Sequence, residues 1–369
     1  MSATSISSNT QSNTSVSRNI QPQEFGGSPI LHLLPQLSIT RRLKIAFVGN
    51  HLPMQCGIAT FTTDLCDAIT SEYGADGLQV TAVNDPEASY RYPARVRNQI
   101  AESELPSYRS AAKLINAGNF DLVCLQHEFG IFGGKAGSHI IELIQHLTKP
   151  LVTTLHTVLR RPDPDQRSVM QQVATRSSRL VVMSEYSSRI LQDDFGVSSD
   201  KIDLIPHGIP DMPLVEPAVY KEALTLGRKC VLLTFGLLSP NKGFENVIRA
   251  LPRILGRHKD TVCVIAGATH PHVKAREGDR YREQLQALAK SLGVEQEVIF
   301  HNRFVSPGEM ASLVGSADIY ITPYRHEAQA VSGTLAYTMG AGKAIISTPY
   351  WHAAELLSNG RGVLVPFEN

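Results

Sequence analysis

The sequence predicts an α/β protein made of two doubly wound, parallel-sheet units joined by a linker. Three observations carry this. From Arg41 onward, short apolar runs of strand length alternate with helical stretches. The alternation pauses at Pro210 and restarts at Val231. Glycines and polar residues gather where the apolar runs end, which is where open parallel sheets bind ligands. A length of 369 residues suits two domains, or two and a tail. The expected division is a flexible tail over 1–40, an N-terminal domain over 41–210, a linker over 211–229 and a C-terminal domain over 230–369.

The tail is rich in Ser, Thr, Asn and Gln and carries too little apolar surface to offset the entropy of ordering it. In the N-terminal domain, Leu43 to Val48 reads as a strand, followed by a loop, Pro53 to Gly57. A helix then carries Ile58, Phe61, Leu65 and Ile69 on one face. Further strands are expected over Gln79–Val83, Asp121–Gln126, Pro150–Leu155, Arg179–Met183 and Ile202–Ile205, with a helix over Tyr186–Asp194. Pro213, Pro217 and weak periodicity mark the linker. In the second domain, strands are expected at Val231–Phe235, Thr261–Ala266, Glu297–Phe300, Ile319–Thr322, Ala344–Ser347 and Gly362–Pro366. Helices are expected over Arg280–Leu292 and Ser332–Met339, and Ser306-Pro307-Gly308-Glu309 has the form of a capping box with proline at the first helical position. The last strand ends without a following helix, so the C-terminal domain reads as incomplete.

Composition limits the function. Hydrophobic residues make up 42% of the chain and charged residues 19%, which describes a globular protein with a substantial core. Lys+Arg number 35 against 34 Asp+Glu, for a net charge of +1, so no nucleic-acid or polyanion partner is indicated. The five cysteines are scattered, without a Cys-x-x-Cys pair, and read as reduced thiols in a cytoplasmic protein. No apolar run approaches the roughly 20 residues of a membrane span. His270-Pro271-His272 offers too few ligands for a metal.

Chemistry concentrates between Val231 and Leu251. An apolar strand leads through Gly236, Ser239, Pro240, Asn241 and Gly243 into a helix bearing Phe244, Val247, Ile248 and Leu251 on one face. Strand, glycine turn and helix aim free backbone N–H groups at an anion, and Lys242 at the helix mouth adds a cation. A diphosphate suits this turn; an ordinary connection with a solvated lysine is the alternative.

From about Leu43 to Phe367 the chain resembles retaining glycosyltransferases of family 4, which have the GT-B architecture. The most specific resemblance is Ala317 to Glu327 followed by Ser332 to Thr348. It is similar to the family's passage from a strand, through a sugar-binding glutamate, into the helix that faces the nucleotide. Ile205-Pro206-His207-Gly208 resembles the turn before the interdomain linker. The resemblance implies two Rossmann-like domains facing a central cleft, with the nucleotide sugar on the C-terminal one and a carbohydrate acceptor on the N-terminal one. It implies no cofactor and no tightly bound metal. Catalysis would fall to Lys242, Glu327 and His156, and donor binding to Gly57, Lys242, Gly243, Ser332, Gly333 and Thr334. His127 and Glu128 are the acceptor candidates, although polar residues at strand exits are also common turn formers. Two positions depart from the family. Leu237 and Leu238 stand where an arginine is usual, and counting from Glu327 places Leu335 at the second glutamate of the family's Glu-x7-Glu pattern. Ser332, Thr334 and Tyr337 are the neighbouring side chains able to bond ribose in its place. The implied activity is transfer of a hexose from a donor of the GDP-mannose or UDP-glucose type. The alternative is an impaired relative that binds sugar or a partner subunit; a phosphorylase or nucleotide-sugar epimerase is a third reading.

Overall fold

A computed structural model describes residues 43–74, 77–86, 89–212 and 216–367. The tail expected over 1–40 lies outside the described residues.

The N-terminal lobe is a seven-stranded sheet: β1 (Ile45–Gly49), β2 (Leu78–Asn84), β3 (Val96–Ala101), β4 (Leu122–His127), β5 (Leu151–Leu155), β6 (Arg179–Val182) and β7 (Ile202–Leu204). Its spatial order is β3-β2-β1-β4-β5-β6-β7, and every pairing is parallel. Five helices cover it: α1 (Gly57–Tyr73), α2 (Leu105–Ala117), α3 (His139–His146), α4 (Pro164–Arg176) and α5 (Glu185–Phe195). The sequence reading places no element over β3, α2, α3 or α4. Strand β3 is an edge strand of sequence VRNQIA whose burial alternates, so it lacks the apolar run of the interior strands.

The stretch expected to be linker contains helix α6 (Pro217–Ala223). Tyr220 of α6 lies so close to Gly315 that a Cβ there would come within 2.4 Å of the ring, and Lys221 pairs with Asp318 at 2.6 Å. This segment is therefore part of the second lobe. That lobe is a six-stranded parallel sheet: β8 (Cys230–Phe235), β9 (Thr261–Ala266), β10 (Val298–His301), β11 (Ile319–Thr322), β12 (Ala344–Ser347) and β13 (Val363–Leu364). The order is β10-β9-β8-β11-β12-β13. Its helices are α7 (Phe244–Leu255), α8 (Pro271–Glu277), α9 (Arg280–Ser291), α10 (Pro307–Ser316), α11 (Gly333–Gly340) and α12 (Trp351–Leu356). The capping box is formed, with Ser306 and Glu309 exchanging bonds at the start of α10.

Both faces of this second sheet are buried. Val231, Leu233 and Phe235 of β8 enter one core, and Leu232 enters the other. Helix α7 closes the second core with Phe244, Val247, Ile248 and Leu251. Burying a side chain of this size stabilises the fold by roughly 1.5–3 kcal/mol.

After β12 the chain returns to the first lobe. Trp351 of α12 packs against the N-terminal core and stacks on Tyr186, with ring centroids 4.3 Å apart. The Glu355 carboxylate accepts the backbone N–H groups of Glu185 (2.9 Å) and Tyr186 (3.2 Å) at the start of α5, where the helix dipole favours an anion. No helix among the described residues is long and apolar enough to cross a membrane.

Candidate active site in the cleft between the lobes

Each sheet reverses its strand order once, between β1 and β4 in the first lobe and between β8 and β11 in the second. Ligands bind open α/β sheets at the carboxyl ends of strands beside such a reversal. In the second lobe the loop after β8 carries Lys242 and the loop after β11 carries Tyr324. The two meet: the Lys242 ammonium donates to Tyr324 Oη at 2.5 Å and lies 3.8 Å from the centre of that ring. Tyr324 is buried and stacked on Tyr350, with ring centroids 4.6 Å apart, so its position is fixed from behind. Burial is the largest single influence and pushes the Tyr324 phenol up, but the Lys242 ammonium together with hydrogen bonding to Thr334 and Ser332 leaves it below the usual tyrosine range.

Lys242 and Tyr324 face a polar pocket of about 520 Å³, shared with Gly236, Leu237, Ser239, Asn241, His270, Val273, Gln329, Val331, Ser332, Gly333 and Thr334. The last three form the N-terminus of α11. Ser332 caps that helix, accepting the N–H of Leu335 at 3.4 Å. The pocket thus joins an ammonium to a helix start, a pairing suited to an anion.

A second, mostly apolar cavity of about 190 Å³ adjoins it. The two share Gly236, Leu237, Gly333 and Thr334. Both lobes build this cavity. Gly57, Thr60 and Phe61 come from α1, Phe304 and Val305 from the segment leading into α10, and Pro307 and Met310 from α10 itself. His207 and Tyr337 complete the wall facing Phe235, Gly267 and Ala268. A Cβ at Gly57 would meet nothing within 4 Å, so glycine here leaves the cavity open rather than relieving a clash.

Lys242, Ser332, Gly333, Thr334 and Gly57 are therefore brought together. The other sequence-derived candidates are not. Gly243 does not line either space. It has φ +66°, and a Cβ there would come within 2.2 Å of the Pro323 carbonyl oxygen. Its contribution is to let the Lys242 turn lie flat against the β11 exit loop. Glu327 is exposed and lines neither space, because its loop turns first: the Glu327 carbonyl accepts the N–H groups of Gln329 (2.8 Å) and Trp351 (3.0 Å). Gln329, two residues on, is the one that reaches the polar pocket. Leu335 is fully buried in the core, and the cleft face of α11 is made by Gly333, Thr334 and Tyr337.

His156 sits one layer behind the cavity wall. Its ring meets Phe61 edge-on at 4.8 Å, and its Nε2 donates to Gln126 Oε1 at 2.9 Å. His127, at the end of β4, is fully buried with neither ring nitrogen hydrogen-bonded. Beside it, the Glu128 carboxylate accepts Thr157 Oγ1 (2.5 Å) and the Phe129 N–H (2.9 Å). Burial holds Glu128 above the usual range despite those bonds. The acceptor candidates thus lie together at the end of β4, His127 fully buried and Glu128 partly so. Among the described residues no group of three or more His, Cys, Asp or Glu could hold a metal ion.

Burial also lowers both histidines, His127 to about 4 and His156 to about 3. Both are neutral in the fold, whereas in the unfolded chain they protonate near 6.5. Between the folded and unfolded values the unfolded state binds more protons, so stability is full above about pH 6.5 and is lost as pH falls below it. At pH 5 the loss is on the order of 2 kcal/mol per buried histidine. Melting temperature is expected to drop clearly from pH 7 to pH 5, above the range where most carboxylates titrate. A flat profile across that window would contradict the neutral, buried placement.

The sequence reading missed Tyr324, Gln329, the apolar cavity and the cleft position of His207. One signal was present: Thr60 and Phe61 follow Gly57 at helical spacing, so whatever the helix start faces, they face too.

Two parallel α/β lobes, closed on a cleft with a cation and a helix start on one wall, define the GT-B class. The glycosyl transferases group 1 model matches residues 220–369, and the Glycosyltransferase Family 4 model matches residues 57–211. Together the two matches support a glycosyltransferase similar to family 4. It is 28% identical over 166 residues to a GDP-mannose-dependent alpha-(1-6)-phosphatidylinositol monomannoside mannosyltransferase of Mycolicibacterium smegmatis, covering 44% of this chain and 40% of that one. It is 27% identical over 201 residues to a D-inositol 3-phosphate glycosyltransferase of Acidothermus cellulolyticus, covering 48% and 42%. The chain spans about half the length of these curated relatives or less. Among solved structures, Anabaena Alr3699/HepE in complex with UDP and glucose superposes with a TM-score of 0.67 at 16% identity, over 89% of this chain and 86% of that one. At that identity the likeness shows the fold alone.

Proposed function

We propose that this chain transfers a hexose from a nucleotide sugar to a hydroxyl of a carbohydrate or glycoconjugate acceptor, with retained anomeric configuration. The carrying observation is the continuity of the two spaces. An apolar cavity sized for part of a nucleoside opens, across Gly236 and Thr334, into a polar pocket holding the Lys242 ammonium. A nucleoside diphosphate has that same sequence of surfaces, an apolar face and then charge.

In this reading the bond from the sugar C1 to the phosphate oxygen breaks, and its electron pair stays on the diphosphate. Lys242 and the N–H groups at the start of α11 stabilise that charge as it develops. The acceptor oxygen bonds to C1, and its proton passes to the leaving phosphate oxygen. No side-chain base is required, which agrees with the burial of His127 and His156 behind the wall. The N-terminus of α1 at Gly57 adds a second helix start on the opposite lobe. A donor of the GDP-mannose or UDP-glucose type is supported by the relatives: one is named GDP-mannose-dependent, and a structural neighbour was crystallised with UDP and glucose.

A melting screen with GDP, UDP and ADP, followed by incubation with the matching sugar donors, tests the proposal. A nucleotide that binds the folded form at 100 times its Kd adds roughly 2.7 kcal/mol of stability, a shift that melting detects readily. The expected result is a shift by one nucleotide and transfer or hydrolysis of its sugar. No shift with any of them would contradict the proposal. The exposed position of Glu327 favours a second reading, a sugar-binding or partner subunit without turnover. Nucleotide binding with no transfer and no hydrolysis would support that reading instead.

A further inference from the structure

We infer that a third space, bordering the Lys242 turn but outside the polar pocket, is a separate site for a phosphate group, carried by a small organic ester or as the free ion. The space has a volume of about 610 Å³. It lies beyond the C-terminal ends of three neighbouring strands: Pro323 and Tyr324 follow β11, Thr348 follows β12 and Val365 follows β13. Strand ends of this kind are where open α/β sheets take ligands. The proposed transfer makes no use of this space beyond Asn241 and Tyr324, which line both it and the polar pocket.

The wall is rich in donors. Asn246, in the first turn of α7, has its amide oxygen taken by Arg249 at 3.1 Å, which leaves its NH2 group. Asn241 has its amide oxygen taken by the Ser239 hydroxyl, which leaves its NH2 group as well. Arg325 and His326 add a guanidinium and an imidazole. Among the described residues, no aspartate or glutamate lines the space. A solvated arginine would be free to swing, and this one is held. Arg325 Nη1 donates to Glu245 Oε1 at 3.1 Å, and the other Glu245 oxygen accepts the Tyr281 hydroxyl at 2.7 Å. Tyr281 is buried, and the Glu245 side chain is only 13% exposed, so the support behind the guanidinium is fixed. Glu245 orients Arg325 and offsets part of its charge, so recognition falls to the amides as well. The loops themselves are tied together: the Arg325 N–H donates to the Asn241 carbonyl at 2.9 Å, and the Thr348 hydroxyl to the Tyr324 carbonyl at 2.6 Å. A guanidinium and two amide NH2 groups suit the several acceptor oxygens of a phosphate. Pro240, Pro323 and Val365 supply apolar surface for the rest of an ester.

Titration calorimetry on the full chain tests this with glucose 6-phosphate, inorganic phosphate and glucose. The chains compared are the wild type, Asn246→Asp and Lys242→Ala. The wild type is expected to bind glucose 6-phosphate and to show no heat with glucose. Asn246→Asp replaces an amide donor by a carboxylate of nearly the same shape, and the first turn of α7 suits a negative charge, so the helix is kept. This variant is expected to weaken glucose 6-phosphate binding by about tenfold or more. Lys242→Ala is expected to keep the binding that Asn246→Asp loses, which separates this site from the polar pocket. Inorganic phosphate tells the two sources apart: equal affinity assigns the site to the free ion, weaker affinity to the ester, and either supports a phosphate site. Arg325→Gln gives the same reading if Asn246→Asp does not fold. The assignment is overturned if glucose binds as well as its phosphate, if neither phosphate binds, or if Asn246→Asp binds at wild-type affinity. It is overturned equally if Lys242→Ala alone abolishes binding, since the phosphate then belongs to the polar pocket.

Discussion

Replacing Lys242 by Ala is expected to lower the rate of sugar transfer by about 100- to 1,000-fold, the range seen when one preorganised group facing a developing charge is removed. The side chain is only half-buried, and its partner is a hydroxyl rather than an opposing charge. Its loss should therefore change the melting temperature little. The variant separates two descriptions of the turn. If Lys242 serves to brace Tyr324, the variant loses stability and activity together. If it meets the diphosphate, activity falls in a chain that still melts normally and still binds a nucleoside without phosphates. A variant that transfers sugar at the wild-type rate would remove the lysine from the mechanism.

The second large effect is structural. Leu335→Glu is expected to destabilise the chain by about 4 kcal/mol or more, since it removes a buried leucine and places a carboxylate in an apolar core. For a lobe of this size that corresponds to a fall in melting temperature on the order of 10 °C. Leu335 belongs to the buried core beneath α11 that also holds Tyr320, Tyr324, Ile345 and Tyr350. Had the position faced the cleft, as counting from Glu327 suggests, the same substitution would fold normally and raise nucleotide affinity. A stable Leu335→Glu chain that binds nucleotide more tightly would therefore reverse the assignment of the helix faces.

That contrast shows which features the sequence made legible. Strands buried on both faces announce themselves as apolar runs, and Thr261–Ala266, Ile319–Thr322 and Ala344–Ser347 are found at the bounds expected of them. The capping box at Ser306 and the helix beginning at Phe244 are equally local signals, complete within a few residues. Edge strand β3, with Arg97, Asn98 and Gln99, carries no such run. Helix α6 was hidden by its proline, Pro217, and its short length, and its packing on the second lobe gives it a place.

The site was legible where it depends on one segment and not where it joins several. The Lys242 turn could be read because strand, turn and helix are consecutive. Tyr324 could not, because its importance comes from stacking on Tyr350 and meeting a lysine from another loop. The chain reaches the pocket at Gln329 rather than at Glu327 because two backbone hydrogen bonds turn the intervening loop.

The central claim is that a nucleoside diphosphate lies across the two spaces with its phosphates at Lys242. A crystal structure of the chain with its preferred nucleoside diphosphate measures this directly. The expected result is a phosphate oxygen within about 3 Å of the Lys242 ammonium and of an N–H at the start of α11, with the base among Phe304, Val305 and Met310. A diphosphate bound elsewhere, with the Lys242 ammonium still held on the Tyr324 hydroxyl, would contradict it.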